Sequence, residues 1–192
     1  MFTLWFTGLP CSGKSTLAHA VSRELACRNR RMELVDGDVI RRQWPKGLGF
    51  SEQDRNENVR RIAFGCRLLN KHGIAAVVAV VSPYRAVREE VRASIPNFVE
   101  VHVDASIDTC IQRDVKGLYR KALAGEIPDF TGIGAPYEPP LKPELVVNTE
   151  NESPPDSVTK ILATLERLSL IEPTTSSPLA SEPVARWLAV QR

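Results

Sequence analysis

Nine residues near the amino terminus, Gly8-Leu9-Pro10-Cys11-Ser12-Gly13-Lys14-Ser15-Thr16, have the types and spacing of a polyphosphate cradle, G-x-x-x-x-G-K-[ST]. In such a loop the backbone N–H groups and the start of the following helix form a fixed electropositive concavity. Lys14 is then placed to reach β- and γ-phosphates, and the Ser15 hydroxyl to ligate Mg²⁺. This loop does not by itself separate a kinase from a GTPase or a motor. A GTPase needs an N-K-x-D motif to read guanine, and Asn70-Lys71-His72-Gly73 carries glycine where that aspartate belongs.

Asp36-Gly37-Asp38 supplies paired carboxylates about twenty residues further on. One is suited to orient or deprotonate an attacking hydroxyl, the other to hold Mg²⁺ through water. Arg41, Arg42, Arg55, Asn58, Arg60 and Arg61 form the densest polar group in the chain. Arg55 and Asn58 are spaced to share a helix face and suit an anionic ligand; Arg60 and Arg61 read as a solvated face. Ser82 follows an apolar run, where a strand would deliver it to the same edge as the phosphate loop. The three histidines, His19, His72 and His102, have no nucleophile paired with them and are assigned to structure.

The elements needed to position these groups follow from the pattern. Phe2–Thr7, Met32–Asp36, Ile74–Val81, Phe98–Asp104 and Leu145–Asn148 read as strands. Helices are expected over about Ser15–Asn29, Ser51–His72, Tyr84–Ser94, Ser106–Asp114 and Asp156–Leu170. Ser51 with Asp54 resembles a capping box, and Gly73 sits where a helix C-cap belongs. Ile74–Val81 is nearly pure Val, Ala and Ile, as suits a parallel strand buried on both faces. Strands alternating with helices predict an α/β fold with a five-stranded parallel sheet. Each strand-to-helix turn, including both Asp36-Gly37-Asp38 and Ser82, then lies at the carboxyl edge, where open parallel sheets bind ligands. The stretch from Val115 to Pro143 breaks the alternation, with four glycines and five prolines, and reads as a lid over about 115–143. Residues 171–192, rich in Pro, Ser and Thr, read as a disordered tail after a domain of residues 1–170.

Composition narrows the function classes. A chain of 192 residues with 25 basic and 23 acidic side chains, net charge +2, has no general polyanion-binding surface, so no nucleic-acid partner is expected. The longest apolar run is too short to span a membrane. No basic n-region precedes an apolar stretch, so no secretory signal is expected. Cys11, Cys27, Cys66 and Cys110 form no C-x-x-C pair, which argues against zinc or a redox dithiol and for free thiols in a cytoplasmic protein.

Taken together, G-L-P-C-S-G-K-S-T, D-G-D-V-I-R, L-G-F-S-E-Q-D-R-N-E-N-V-R-R, S-P-Y-R, K-G-L-Y and F-T-G-I-G-A-P-Y-E resemble the adenylylsulfate kinase family in order and spacing across about residues 1–170. The resemblance implies a P-loop NTPase-type three-layer sandwich with strand order 2-3-1-4-5. It also implies ATP-dependent phosphorylation of the 3′-hydroxyl of adenosine 5′-phosphosulfate, with Mg²⁺, in sulfate assimilation, by a homodimer. By the same resemblance, Asp38 contacts the sugar hydroxyl, Arg41, Arg55 and Asn58 hold the phosphosulfate, and Phe50 and Phe130 sandwich the acceptor adenine. Lys116 opens the lid and meets substrate charge, and Arg113 approaches the ATP base or phosphates. Val81 and Ser82 contact the acceptor. The catalytic candidates are Lys14, Asp38 and Ser82. Ser82 is either a phosphorylated intermediate or a substrate contact under direct transfer, and the lack of a neighbouring base in the sequence favours the second. Two positions depart from the family pattern: Val115 in place of proline before Lys-Gly-Leu-Tyr, and Gly134 in place of a polar residue. Other acceptors on the same scaffold are a nucleoside monophosphate, gluconate or shikimate, and a silent nucleotide-binding module is a different class of alternative.

Overall fold

Every residue of strand β1 (Thr3–Thr7) is buried, and its two parallel neighbours explain why. It pairs in register with β3 (Ala75–Ala79) on one side and β4 (Phe98–Asp104) on the other. Strands β2 (Met32–Asp36) and β5 (Leu145–Asn148) close the edges, giving the order β2-β3-β1-β4-β5, all parallel, as the resemblance implied. The computed structural model describes residues 1–43 and 48–173, with side chains as far as residue 40 in the first segment.

Side-chain alternation along the strands divides the core in two. On one face Leu4, Phe6, Val77, Val101 and Val147 pack under helices α1 (Lys14–Cys27) and α7 (Pro154–Arg167). On the other, Trp5, Ala76, Val78 and Phe98 pack under α3 (Glu52–Lys71) and α4 (Arg85–Ser94). Helix α3 starts where Ser51 Oγ accepts the Asp54 N–H, and the Asp54 carboxylate accepts the Ser51 hydroxyl in return. It ends in a Schellman closure, with Ile74 N bonded to Leu69 O and Gly73 N to Asn70 O, at a Gly73 φ of 75°. Ile171 is buried in the core, so ordered packing reaches one residue past Leu170, while residues 174–192, expected to be disordered, lie outside the described residues.

Two helices were not legible in the pattern, and both sit at the carboxyl edge. Helix α2 (Gly37–Gln43) continues directly from β2 where a sharp turn was expected. The Asp36 carboxylate caps it, accepting the N–H groups of Asp38 at 2.8 Å and Val39 at 3.4 Å. Gly37 is required by close approach, since a Cβ there would stand 2.9 Å from Val80 Cγ2. Helix α6 (Leu118–Leu123) lies within the expected lid, just after α5 (Ile107–Arg113). Among the described residues no helix is long and apolar enough to cross a membrane.

Candidate active site

The phosphate loop leaves β1 and closes on the first turn of α1. Gly8 has φ 155°, and a Cβ on it would stand 2.4 Å from Val103 O, so the loop can cross β4 there only as glycine. Gly13 caps α1 at φ 99°, and Cys11 is also left-handed at φ 62°. Ser12 is fully buried, and its N–H closes the loop onto Leu9 O at 3.2 Å. Lys14 lies folded into the loop, its Nζ donating to Leu9 O at 2.6 Å and approaching Ser12 Oγ at 3.5 Å. Burial of this ammonium lowers its pKa from 10.5 to about 8, because desolvation penalises the charged form.

A cavity of about 520 Å³ runs from this loop to the opposite end of the sheet edge. Pro10, Cys11, Gly13, Lys14, Ser15 and Thr16 line its phosphate end, whereas Gly8, Leu9 and Ser12 shape the loop from outside the cavity wall. At the other end stand Asp38, Phe50, Arg55, Asn58, Val81, Ser82 and Phe130, with Lys116 across the mouth and Arg113 near α1. The side chain of Arg41 lies outside the described residues.

Ser15 and Asp36 meet at the centre, Ser15 Oγ donating to Asp36 Oδ2 at 2.9 Å. A hydroxyl beside a carboxylate is a hard-oxygen donor set of the kind Mg²⁺ uses alongside substrate phosphates. No group of three or more His, Cys, Asp or Glu suited to a metal occurs among the described residues. The two carboxylates of Asp36-Gly37-Asp38 diverge. Asp36 caps α2 and holds Ser15, whereas Asp38 is ion-paired with Lys116.

Ser82 is 1% exposed, with φ 39°. Its Oγ accepts the Trp5 indole N–H at 3.1 Å and donates to Thr7 Oγ1 at 3.0 Å, which in turn donates to Val81 O at 2.8 Å. Its bonded neighbours are an indole and a hydroxyl, neither of which is a base able to activate it.

Phe50 and Phe130 are brought to the same cavity by Arg55. The guanidinium donates to Phe50 O at 2.8 Å, Asp129 O at 2.7 Å and Thr131 Oγ1 at 2.7 Å, tying the start of α3 to the lid. Phe50 is 56% exposed, while Phe130 packs edge-on against Tyr119 at 5.0 Å between ring centroids.

Several contacts around the loop were given no role by the sequence. Tyr119, fully buried, donates its hydroxyl to Pro10 O at 3.0 Å and so fastens α6 to the phosphate loop. Asp114 holds the same turn by accepting the N–H groups of Tyr119 and Arg120; desolvation pushes its carboxyl pKa up, but the backbone hydrogen bonds together outweigh it and lower the pKa. Thr149 links Arg113 to the loop: Arg113 donates to its Oγ1 at 3.0 Å and its carbonyl at 2.7 Å, and Thr149 Oγ1 donates to Ser12 O at 2.9 Å. Of the histidines, His102 is half-buried and stacked on Tyr137, and burial lowers its pKa.

Comparison with known proteins agrees with this geometry. The profile of the family described as adenylylsulphate kinase matches residues 1–148. A protein of Gloeothece citriformis named adenylyl-sulfate kinase is 52% identical over 169 residues, which cover 88% of this chain and 96% of that protein. Among solved structures, an APS kinase of Mycobacterium tuberculosis in complex with AMPPNP and APS superposes with a TM-score of 0.81 at 40% identity, covering 86% of this chain and 97% of that one. A hexameric APS kinase from Thiobacillus denitrificans matches at TM-score 0.67 and 34% identity, covering 88% of this chain and 29% of that one. The profile spans most of the chain, and the Gloeothece citriformis and Mycobacterium tuberculosis proteins are matched almost end to end, which places this chain in the adenylylsulphate kinase family.

Proposed function

We infer that this chain transfers the γ-phosphoryl group of ATP to the 3′-hydroxyl of adenosine 5′-phosphosulfate, giving 3′-phosphoadenosine 5′-phosphosulfate and ADP. The observation that carries this reading is the single continuous cavity, with a phosphate loop at one end and a carboxylate, arginine and two phenylalanines at the other. The backbone of residues 8–16 and Lys14 hold the ATP phosphates, and Arg113 with Thr149 borders the donor side. Ser15, with Asp36 behind it, would hold Mg²⁺, which when bound neutralises charge on the β- and γ-phosphates. Phe50 and Phe130 offer planes for the acceptor purine, and Arg41, Arg55 and Asn58 offer donors to its phosphosulfate. Asp38 accepts a hydrogen bond from the 3′-hydroxyl and aligns it for in-line attack; binding of the acceptor transfers Lys116 from Asp38 to substrate charge. The lid over about 115–143 excludes water, which suppresses ATP hydrolysis.

Direct transfer is favoured over a phosphorylated Ser82, because the Ser82 oxygen is buried between Trp5 and Thr7 with no base against it. The protein is proposed to act in the cytoplasm as a homodimer in sulfate assimilation. A panel assay with Mg-ATP and adenosine phosphosulfate, AMP, gluconate or shikimate tests the reading. Turnover with the first alone is expected, and turnover with another acceptor in its place refutes it.

A further inference from the structure

Among the largest side chains wholly buried in the protein is a charged one, Arg88, at 1% exposure on α4. Its guanidinium reaches three chain segments that are distant in sequence. Nε donates to Glu100 Oε1 on β4 at 3.0 Å, Nη1 to Ser82 O at 2.6 Å, and Nη2 to Glu138 O at 2.5 Å. The same group lies 5.7 Å from the centre of the Tyr137 ring. The Tyr137 hydroxyl meets Thr7 Oγ1 at 3.1 Å, the atom that also accepts the Ser82 hydroxyl. Two further bonds join the same segments: Glu138 N to Pro83 O at 2.9 Å, and Arg85 N to Glu138 Oε2 at 2.7 Å.

A buried ion pair is a poor source of stability, because desolvation offsets its attraction and an apolar side chain of similar volume often does as well. The placement of this one has a local consequence. Ser82 holds a left-handed φ of 39°, a conformation that persists only where its surroundings over-determine it. The planar fork of arginine can hold the Ser82 and Glu138 carbonyls at once, which a lysine ammonium on a flexible stem does not reproduce. The far end of the lid is thereby fixed to the turn that follows β3.

We propose that Arg88 is a positioning residue for the acceptor: with Tyr137 it clamps the Val81–Ser82 edge and the lid return at Glu138 into one body. This rests on the reading of the Val81–Ser82 side as the acceptor side. These bonds reach Thr7, at the entry to the phosphate loop, but none of them falls on residues 8–16, so the effect is expected on the acceptor side.

The test uses Arg88→Lys, which keeps a cation against Glu100 but not the fork, and Tyr137→Phe, which removes one hydroxyl. Hydrogen exchange of the unliganded protein reads the clamp without any substrate. In Arg88→Lys, the Arg85 and Glu138 amides, which donate across the clamp, are expected to lose protection together, by about tenfold or more, while α1 and α7 stay unchanged. In the kinase assay the KM for adenosine phosphosulfate rises by about tenfold or more, and the KM for ATP stays within about twofold. Tyr137→Phe shows the same pattern to a smaller extent, and it carries the test alone should Arg88→Lys fail to fold. Unchanged protection at both amides, a uniform loss across the protein, or an equal rise in both KM values overturns the proposal. Joint loss of protection in a protein that phosphorylates a different acceptor supports the clamp and refutes the assigned acceptor instead.

Discussion

Lys116 and Asp38, separated by 78 residues of sequence, form an ion pair across the mouth of the cavity. The carboxylate proposed to align the acceptor hydroxyl is thus held by a lysine at the start of the lid before substrate enters. Both side chains are more than half exposed, so the pair is weak and exchangeable, as a group that must change partners during turnover requires.

Asp38→Asn removes the acceptor for the 3′-hydroxyl proton and should lower kcat by about 10²-fold or more. Lys116→Ala should act mainly through the acceptor KM. In the double variant the two losses should add to less than their sum, because each single change already breaks the pair. Steady-state kinetics of the three variants checks this, and strict additivity would show that the contact has no part in turnover.

Lys14 sets a pH dependence. Its pKa in the unliganded protein lies near 8, below the 10.5 of an unburied lysine, so the protonated form needed to bind phosphate is lost above about pH 8. The value of kcat/KM for ATP should therefore fall roughly tenfold per unit above that pH. The linkage has the opposite sign for stability. The folded state carries the cost of a buried ammonium at neutral pH and is relieved of it as pH rises from about 8 towards 10.5. Lys14→Met should thus inactivate the enzyme yet leave the unliganded Tm at or above wild type at pH 7, with that advantage shrinking as pH rises. Thermal melts at pH 7 and pH 9.5 measure it.

Arg55→Lys should weaken acceptor binding by about 1.5–3 kcal/mol, the range for hydrogen bonds to charged groups, and leave ATP binding nearly unchanged. The structure adds a second route to the same result, since Arg55 also fixes the segments that carry Phe50 and Phe130. Phe50→Ala should cost about 1–3 kcal/mol on the acceptor side, as base–aromatic contacts do. Calorimetric titration with each nucleotide separates the two sides; loss of ATP affinity with the acceptor retained would reverse the pocket assignment.

Tyr119→Phe removes the bond to Pro10 O and should lower stability by about 0.5–1.5 kcal/mol, measured by urea unfolding. An unchanged midpoint would mean that the lid helix is held to the phosphate loop by packing alone.

The central strands were legible because they are buried: Ala75–Ala79 appears as an unbroken apolar run, and Phe98–Asp104 as apolar residues alternating with Glu100, His102 and Asp104. The phosphate loop was legible because backbone geometry dictates its glycines, as the 2.4 Å approach of Val103 O to a Cβ at Gly8 shows. Helices α2 and α6, at seven and six residues, are too short to display a helical period, and their caps, Asp36 and Asp114, read equally well as loop acids. Arg88, Tyr119 and Thr149 stayed hidden for another reason. Each acts through backbone carbonyls, at Ser82 and Glu138, at Pro10 and at Ser12, and such partners leave no mark on residue type. The separate fates of Asp36 and Asp38 were likewise undetermined until the fold turned one towards Ser15 and the other towards the lid.

The proposed transfer runs directly from ATP to the 3′-hydroxyl of adenosine phosphosulfate, with Ser82 as a structural contact. Rapid-quench single turnover with γ-labelled ATP, Mg²⁺ and adenosine phosphosulfate tests it, following label on protein and product together. Direct transfer puts label on the 3′-position of the product from the earliest times and none on the protein, with Ser82→Ala still turning over. Label that accumulates on Ser82 and then chases into product, or no label on the 3′-position at any time, would contradict it.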